Sequence, residues 1–345
     1  MSLPNSKNLP VNLLSACFNN TSATYKFYWL LSILQSVENG NLKISKKDLF
    51  ARMISNAWYT VNYFHVSFGK QDLIQQAINL INQIEKITID EKQQNVFQKL
   101  VSTTNRETEK ILSHFNKNVP HWFLSPWFQK ESKSEIYKAS QSFSKNCLYA
   151  LFENEIQINH AWKNYLTDNA KVLKDFCYWN LALFLQSKNP NVPDIPNKLI
   201  KPAVRNNLTK QRNEYWKNVF NKEKSIKCIF TEQELIYEEM NFAIDHFIPH
   251  GFVSHDLIWN LIPIEKNFNS FKSDKLPLLD KHFDKFFDLQ KIAFQINKSI
   301  NPKSRYMEEF LTIFPELDNN FSKERFKETI QPLITIASNN GFLFL

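Results

Sequence analysis

The chain has 345 residues, of which 43% are apolar and 14% aromatic, and its 42 Lys+Arg against 34 Asp+Glu give a formal charge of +8. That describes a folded, basic protein with enough chain for one large domain or two modest ones. Its four glycines (Gly40, Gly69, Gly251 and Gly341) never cluster, which excludes the glycine-rich phosphate loops of Rossmann and P-loop proteins and argues against a large β-sandwich with many tight turns.

In chain order, apolar residues at helical spacing predict helices over 23–38, 46–66, 71–87 and 90–118. Pro120 and Pro126 bracket an aromatic loop, where Trp122 and Trp127 either pack in the core or stack on bases. A further helix is predicted over 159–186, with Trp162, Tyr165, Val172, Phe176 and Leu183 facing inward. Three prolines at three-residue spacing (Pro190, Pro193, Pro196) then predict an extended, stiff link over 189–197. A helix over 202–220 follows, with Pro202 in its first turn; Val204, Leu208, Tyr215 and Val219 share one face, and Lys210 and Lys217 lie opposite. Helical spacing resumes over 278–345. The expected fold is mainly α: a helical domain over 1–188, the link, a basic helical segment over 198–227, a module with strands over 228–277 and a helical extension over 278–345.

The excess charge is local. Residues 197–227 hold nine basic side chains against two acidic ones, a net +7 that leaves +1 for the rest of the chain. Such a patch points to a polyanion, either nucleic acid or a membrane surface, with Arg205, Lys210, Arg212 and Lys217 as candidate contacts. Cys17, Cys147, Cys177 and Cys228 are scattered, which fits a reducing cytoplasm. Residues 1–20 lack a basic start followed by an apolar run, and no stretch reaches membrane-spanning length.

The segment that carries chemistry runs from Ile244 to Pro277. A short apolar strand, 242–248, ends with Asp245 and His246; a loop with Pro249 and Gly251 follows, then a second strand over 259–264 and a polar helix from about Asn267. Neighbouring residues on a strand point to opposite sides, so the carboxylate can hold a hard cation while the imidazole accepts a proton from water near neutral pH. That combination suits metal-assisted hydrolysis of a phosphodiester. His250 and His255 suggest a zinc cluster with His246, but Pro249 and Gly251 disfavour the regular helix such a site wants.

Asp245-His246, Asn260 and Asn269, at intervals of 14 and 9 residues from His246, resemble the signature of the HNH, or ββα-metal, endonucleases. The match resembles most closely the HNH domain of RNA-guided CRISPR effectors, which likewise carries Asp-His, a following Pro (Pro249), Asn in the last position (Asn269) and Lys-Ser-Asp…Pro (Lys272-Ser273-Asp274…Pro277). It covers residues 228–277. The resemblance implies that Asp245 and Asn269 bind one Mg²⁺ or Mn²⁺, that His246 is the general base and that Asn260 holds the loop presenting it. Lys272 would contact the scissile phosphate, and the products would carry 5′-phosphate and 3′-hydroxyl ends. Many HNH proteins also bind a structural zinc through two Cys pairs. Only Cys228 lies at such a place here, so no zinc is expected, and Phe230, Phe242 and Phe268 would pack instead.

The resulting expectation is a metal-dependent DNA endonuclease acting on duplex, in anti-phage defence or restriction by family analogy. Its helical N-terminal domain would target, sense, or bind a partner protein or a second copy. Two other readings stay open: a nucleic-acid-binding or regulatory protein with an inactive HNH module, and an RNA-directed nuclease.

Overall fold

The structure, a computed structural model, describes residues 2–200, 206–314 and 321–345. The chain forms two compact units: Met1–Pro190 with Ile195–Ala203, and Asn191–Asp194 with Val204–Leu345. Both are mainly helical with small sheets, and no described helix is long and apolar enough to cross a membrane.

In the first unit, helix α1 (Tyr25–Glu38) is apolar on every side and buried from Phe27 to Leu34, which makes it the central element. Trp29 Nε1 donates to the Tyr149 hydroxyl at 2.9 Å, which donates in turn to the Pro120 carbonyl at 2.7 Å, so the buried polar tips of both aromatics are satisfied. Helices α2 (Lys46–Asn62) and α3 (Ala170–Lys188) pack on α1. Strands β1 (Lys43–Ser45), β2 (Tyr149–Leu151) and β3 (Glu155–Ile158) form an antiparallel sheet in the order β1-β3-β2.

Several helices differ from their sequence expectation for local reasons. The one expected over 90–118 breaks into Gln93–Ser102 and Arg106–His114, because the Asn105 side chain accepts from the amides of Glu107 and Thr108 and restarts the helix. The aromatic loop is partly helical, Val119–Phe123, with Pro120 in its first turn. Trp127 is buried there and Trp122 is exposed. The helix over 159–186 is broken before Ala170, and of its expected inward face Val172 and Leu183 are exposed. The proline-rich link is helical at its end, over Ile195–Ile200, since Pro196 falls in a first turn, where a missing N–H costs nothing.

In the second unit, a π-helical stretch, Gln211–Trp216, runs into α4 (Lys217–Glu223). The expected start at Pro202 lies outside the described residues, and Leu208 has a left-handed backbone (φ 51°), so regular helix begins after it. Strands β4 (Ser225–Lys227) and β5 (Glu234–Ile236) pair antiparallel, as do β6 (Phe242–His246) and β7 (Leu261–Glu265). Helix α5 (Lys266–Lys272) follows β7 directly and packs on both β6 and β7. This strand–loop–strand–helix order is the one expected from the sequence.

Behind it lie α6 (Leu279–Ile300), the short helix Arg305–Glu309 and α7 (Lys323–Asn339). Their phenylalanines form one cluster: Phe286 stacks flat on Phe247 at 3.8 Å and meets Phe326 at 5.4 Å, while Phe294, Phe310 and Phe321 lie 5.0–5.8 Å apart. Phe247 immediately follows His246, so this cluster anchors the end of β6.

Candidate active site

Strand alternation sorts the two candidate catalytic side chains. Asp245, opposite Ile262 in the β6–β7 register, meets α5; His246, opposite Leu261, meets the loop that follows β6. Both are nearly buried, Asp245 at 5% and His246 at 4% exposure, and burial of polar groups on this scale requires partners.

For Asp245 the partner is Lys272. Its ammonium, wholly buried, donates to Asp245 Oδ2 and to the His246 carbonyl, each at 2.7 Å. The resemblance gives Lys272 a phosphate contact; in this structure its ammonium is turned inward. The last turn of α5 lies against β6, so the lysine is drawn in to neutralise the buried carboxylate. Asn269 sits one turn earlier on the same helix, hence on the same face as Lys272, and is half-buried.

Asn260 is fully buried and bonded on both sides of its amide: Oδ1 accepts from Ile248 N–H at 2.8 Å, and Nδ2 donates to the Ile248 carbonyl at 2.9 Å. Its own carbonyl accepts from Phe247 N–H at 2.7 Å. One asparagine thereby ties the chain leaving His246 to the chain entering β7. Between these points Pro249 begins a short helical turn, His250–Val253, which closes at Ser254 in a left-handed conformation (φ 58°).

The loop is fixed from the other side too. Ile258 N–H donates to Glu309 Oε2 at 2.5 Å, and Gln290 Nε2 donates to the carbonyls of Ile258 and Leu261 at 3.3 and 2.8 Å. Burial pushes the Glu309 carboxyl up, although its bond to Ile258 works against this.

His246 Nε2 lies 2.9 Å from Asp256 Oδ1 and 3.2 Å from the His255 carbonyl. Sequence reasoning missed Asp256, whose only signal was an acid within the loop between the Asp-His pair and Asn260. Burial pushes its carboxyl up, but the hydrogen bonds from His246 and Asn206 and the charges of His246 and His250 outweigh that and hold it down at about 2. Asn206 Nδ2 donates to the second carboxylate oxygen at 2.5 Å. His250 packs edge-on against His246, with ring centres 5.2 Å apart.

Among the described residues, Lys210, Arg212 and Lys217 form no hydrogen bond or ion pair with these side chains. Lys210 and Lys217 are exposed, the Lys217 ammonium lying 5.8 Å from the Tyr237 ring centre. Arg212 is half-buried and bonds Asn213. Arg205 lies outside the described residues. Phe230 stacks on Phe268 at 5.0 Å and Phe242 lies on Phe220 at 4.6 Å, while Cys228 is buried as a free thiol.

No curated protein and no solved structure matches the chain. Residues 228–278, the segment that holds β5, β6, β7 and α5, match the family model of the HNH endonucleases, so this segment is an HNH endonuclease domain within the second unit.

Proposed function

We propose that this protein is a Mg²⁺-dependent endonuclease that hydrolyses DNA phosphodiester bonds. The observation that carries the reading is the end of β6: a carboxylate and an imidazole on successive residues, both buried, both partnered, within the HNH segment. Core packing has no need of such a pair.

The donor set suits a small, hard cation. Among the described residues no group of three or more His, Cys, Asp or Glu side chains could hold a metal. Asp245 with Asn269 supplies oxygen ligands only, few in number, which fits an ion that keeps several waters and binds through substrate phosphate. Lys272 donates to Oδ2 of Asp245, and Asp245 with Asn269 would hold the ion. When bound, Mg²⁺ supplies positive charge to the phosphate as negative charge builds on its oxygens.

The chain's own residues do the rest. His246 takes a proton from the attacking water; the water oxygen bonds to phosphorus as the bond to the 3′-oxygen breaks, and the leaving oxygen gains a proton from solvent. Asn260 holds the backbone that presents His246. Lys272 holds Asp245 in place. Lys210, Arg212 and Lys217, with Arg205 of the same run, contact the duplex backbone. Residues 1–188 direct or gate the nuclease, in a role in anti-phage defence or restriction drawn from the family.

The test is cleavage of supercoiled plasmid, linear duplex, single-stranded DNA and RNA by the purified full chain, in Mg²⁺, Mn²⁺ or EDTA. Duplex nicking that needs metal and disappears in His246→Ala is expected. Cleavage by that variant at the wild-type rate would overturn the assignment of His246, and cleavage of RNA alone would replace the DNA reading.

A further inference from the structure

We propose that Asp256 is a positioning residue for His246, locking the imidazole in the tautomer that leaves Nδ1 as its basic nitrogen. The inference rests on the hydrolase reading above and adds to it a residue that the Asp-His…Asn…Asn pattern does not contain.

The argument is one of donors and acceptors. His246 Nε2 faces two groups, the Asp256 carboxylate at 2.9 Å and the His255 carbonyl at 3.2 Å. A carbonyl can only accept, and an ionised carboxylate can only accept. A bare nitrogen at Nε2 would put a lone pair against both, so Nε2 carries the proton. In neutral imidazole the other nitrogen then holds the lone pair. Among the described residues Nδ1 has no hydrogen-bond partner, so it alone can take the proton from the attacking water.

Asp256 is itself fixed. Asn206 donates to Oδ2 while Oδ1 accepts from His246, so neither oxygen turns away without breaking a bond. The backbone on either side is tied as well: His255 Nδ1 accepts from Leu257 N–H at 3.3 Å, and Ile258 N–H is held by Glu309. The acid therefore sits on a rigid loop, whereas the His255 carbonyl is the longer and weaker of the two contacts to Nε2. Removing the carboxylate leaves an imidazole that can exchange tautomers or rotate, and the fraction with Nδ1 basic and correctly aimed falls. The same logic governs an aspartate behind a catalytic histidine in serine hydrolases.

Two readouts on the full-length protein test this. The first is long-range ¹H–¹⁵N correlation of His246 without substrate or metal. Wild type is expected to show protonated Nε2 and unprotonated Nδ1 as the dominant neutral form. Asp256→Ala, and Asp256→Asn with its shape kept and its charge gone, are expected to show a mixture. The second is steady-state nicking, where kcat is expected to fall at least tenfold, on the order of what outer-shell partners contribute, with KM within about twofold. Asp256→Asn keeps the test valid should the alanine variant fail to fold. A folded Asp256→Asn with wild-type tautomer and wild-type kcat overturns the proposal, and so does a wild type whose neutral form has its proton on Nδ1. A wild type that cleaves no nucleic acid defeats the hydrolase reading instead, and the tautomer claim then stands or falls on the spectra.

Discussion

Asp72 in the first unit and Asp256 in the second are both carboxylates drawn into the protein, and they respond in opposite directions. Asp72 accepts three hydrogen bonds, from Thr24 N–H and hydroxyl at 2.6 Å each and from Ile74 N–H at 2.9 Å, yet burial prevails and its carboxyl is pushed up. Asp256 feels burial too, but a histidine bond and nearby imidazole charge bring it down to about 2. Two things differ: Asp72 is the more deeply buried and has only neutral donors, whereas Asp256 keeps an edge in solvent and has two imidazoles beside it. The pattern extends across the first unit, where Lys46 is lowered to about 8 and His121 to about 4, each mainly by burial and further by neighbouring lysines. There burial works against the charged form of each group. Around the end of β6 the ionisable groups are buried in pairs, Asp245 with Lys272 and His246 with Asp256.

The sharpest way to break that pairing is Lys272→Met. It leaves Asp245 buried against an apolar side chain, and breaking a buried ion pair from one side costs about 3–5 kcal/mol. Urea unfolding with hydrogen exchange read at β6 and β7 is expected to show that loss in the second unit. Adding Asp245→Ala to Lys272→Met is expected to restore much of it, because no lone charge then remains. A double variant as unstable as the single one would mean that the bond from Lys272 to the His246 carbonyl, rather than the ion pair, holds α5 to β6.

A neutral comparison comes next in size. Asn260→Ala strands the N–H and carbonyl of Ile248 without partners in a fully buried place, at about 1–3 kcal/mol for each group. Asp72→Ala removes the helix cap of Leu73–Glu85 and also strands the N–H and hydroxyl of the fully buried Thr24, so by the same reckoning its cost is of the same size. Thermal unfolding is therefore expected to show comparable losses for the two variants. A loss confined to one of them would place the heavier dependence on buried polar bonding in that variant's unit.

The same contrast explains what was legible in the sequence. Asp245, His246, Asn260 and Asn269 announce themselves because residue types, intervals and the order strand, loop, strand, helix agree. Asp256 does not, since no spacing rule ties a loop acid to a strand histidine; only folding brings them to 2.9 Å. Lys272 misleads for a related reason. A lysine on a short polar helix reads as solvated, and the carboxylate that draws it inward lies 27 residues away. In the first unit periodicity finds α1 and α2, where one residue type dominates a face. It runs past the break at Asn105 because a cap is a single side-chain bond inside an unbroken apolar repeat. It also misses β1, β2 and β3, whose strands are only three or four residues long, with β1 pairing to β3 across more than a hundred positions.

The smallest effect expected is in acid, and it separates the two regions by pH. His121 is 7% exposed, its Nδ1 has no partner among the described residues, and its folded value is lowered from 6.5 to about 4. Between those values the unfolded chain binds the proton and the folded chain does not, so stability is full above about 6.5 and falls as pH drops toward 4. Asp256, held at about 2, contributes stability that is complete above its unfolded value of about 3.9 and is lost only as pH falls from there toward 2. Urea unfolding at pH 7, 5 and 3 is thus expected to show the His121 decline in the helical unit from pH 7 to 5 and the Asp256 decline in the second unit only from pH 5 to 3, apart from any earlier loss there from His282, which burial also lowers. His121→Leu should remove the first decline and leave the second. A first decline that persists in His121→Leu would move its origin to another group, and the contrast between burial that works against charge and pairing that favours it would then rest on the carboxylates and Lys46 alone.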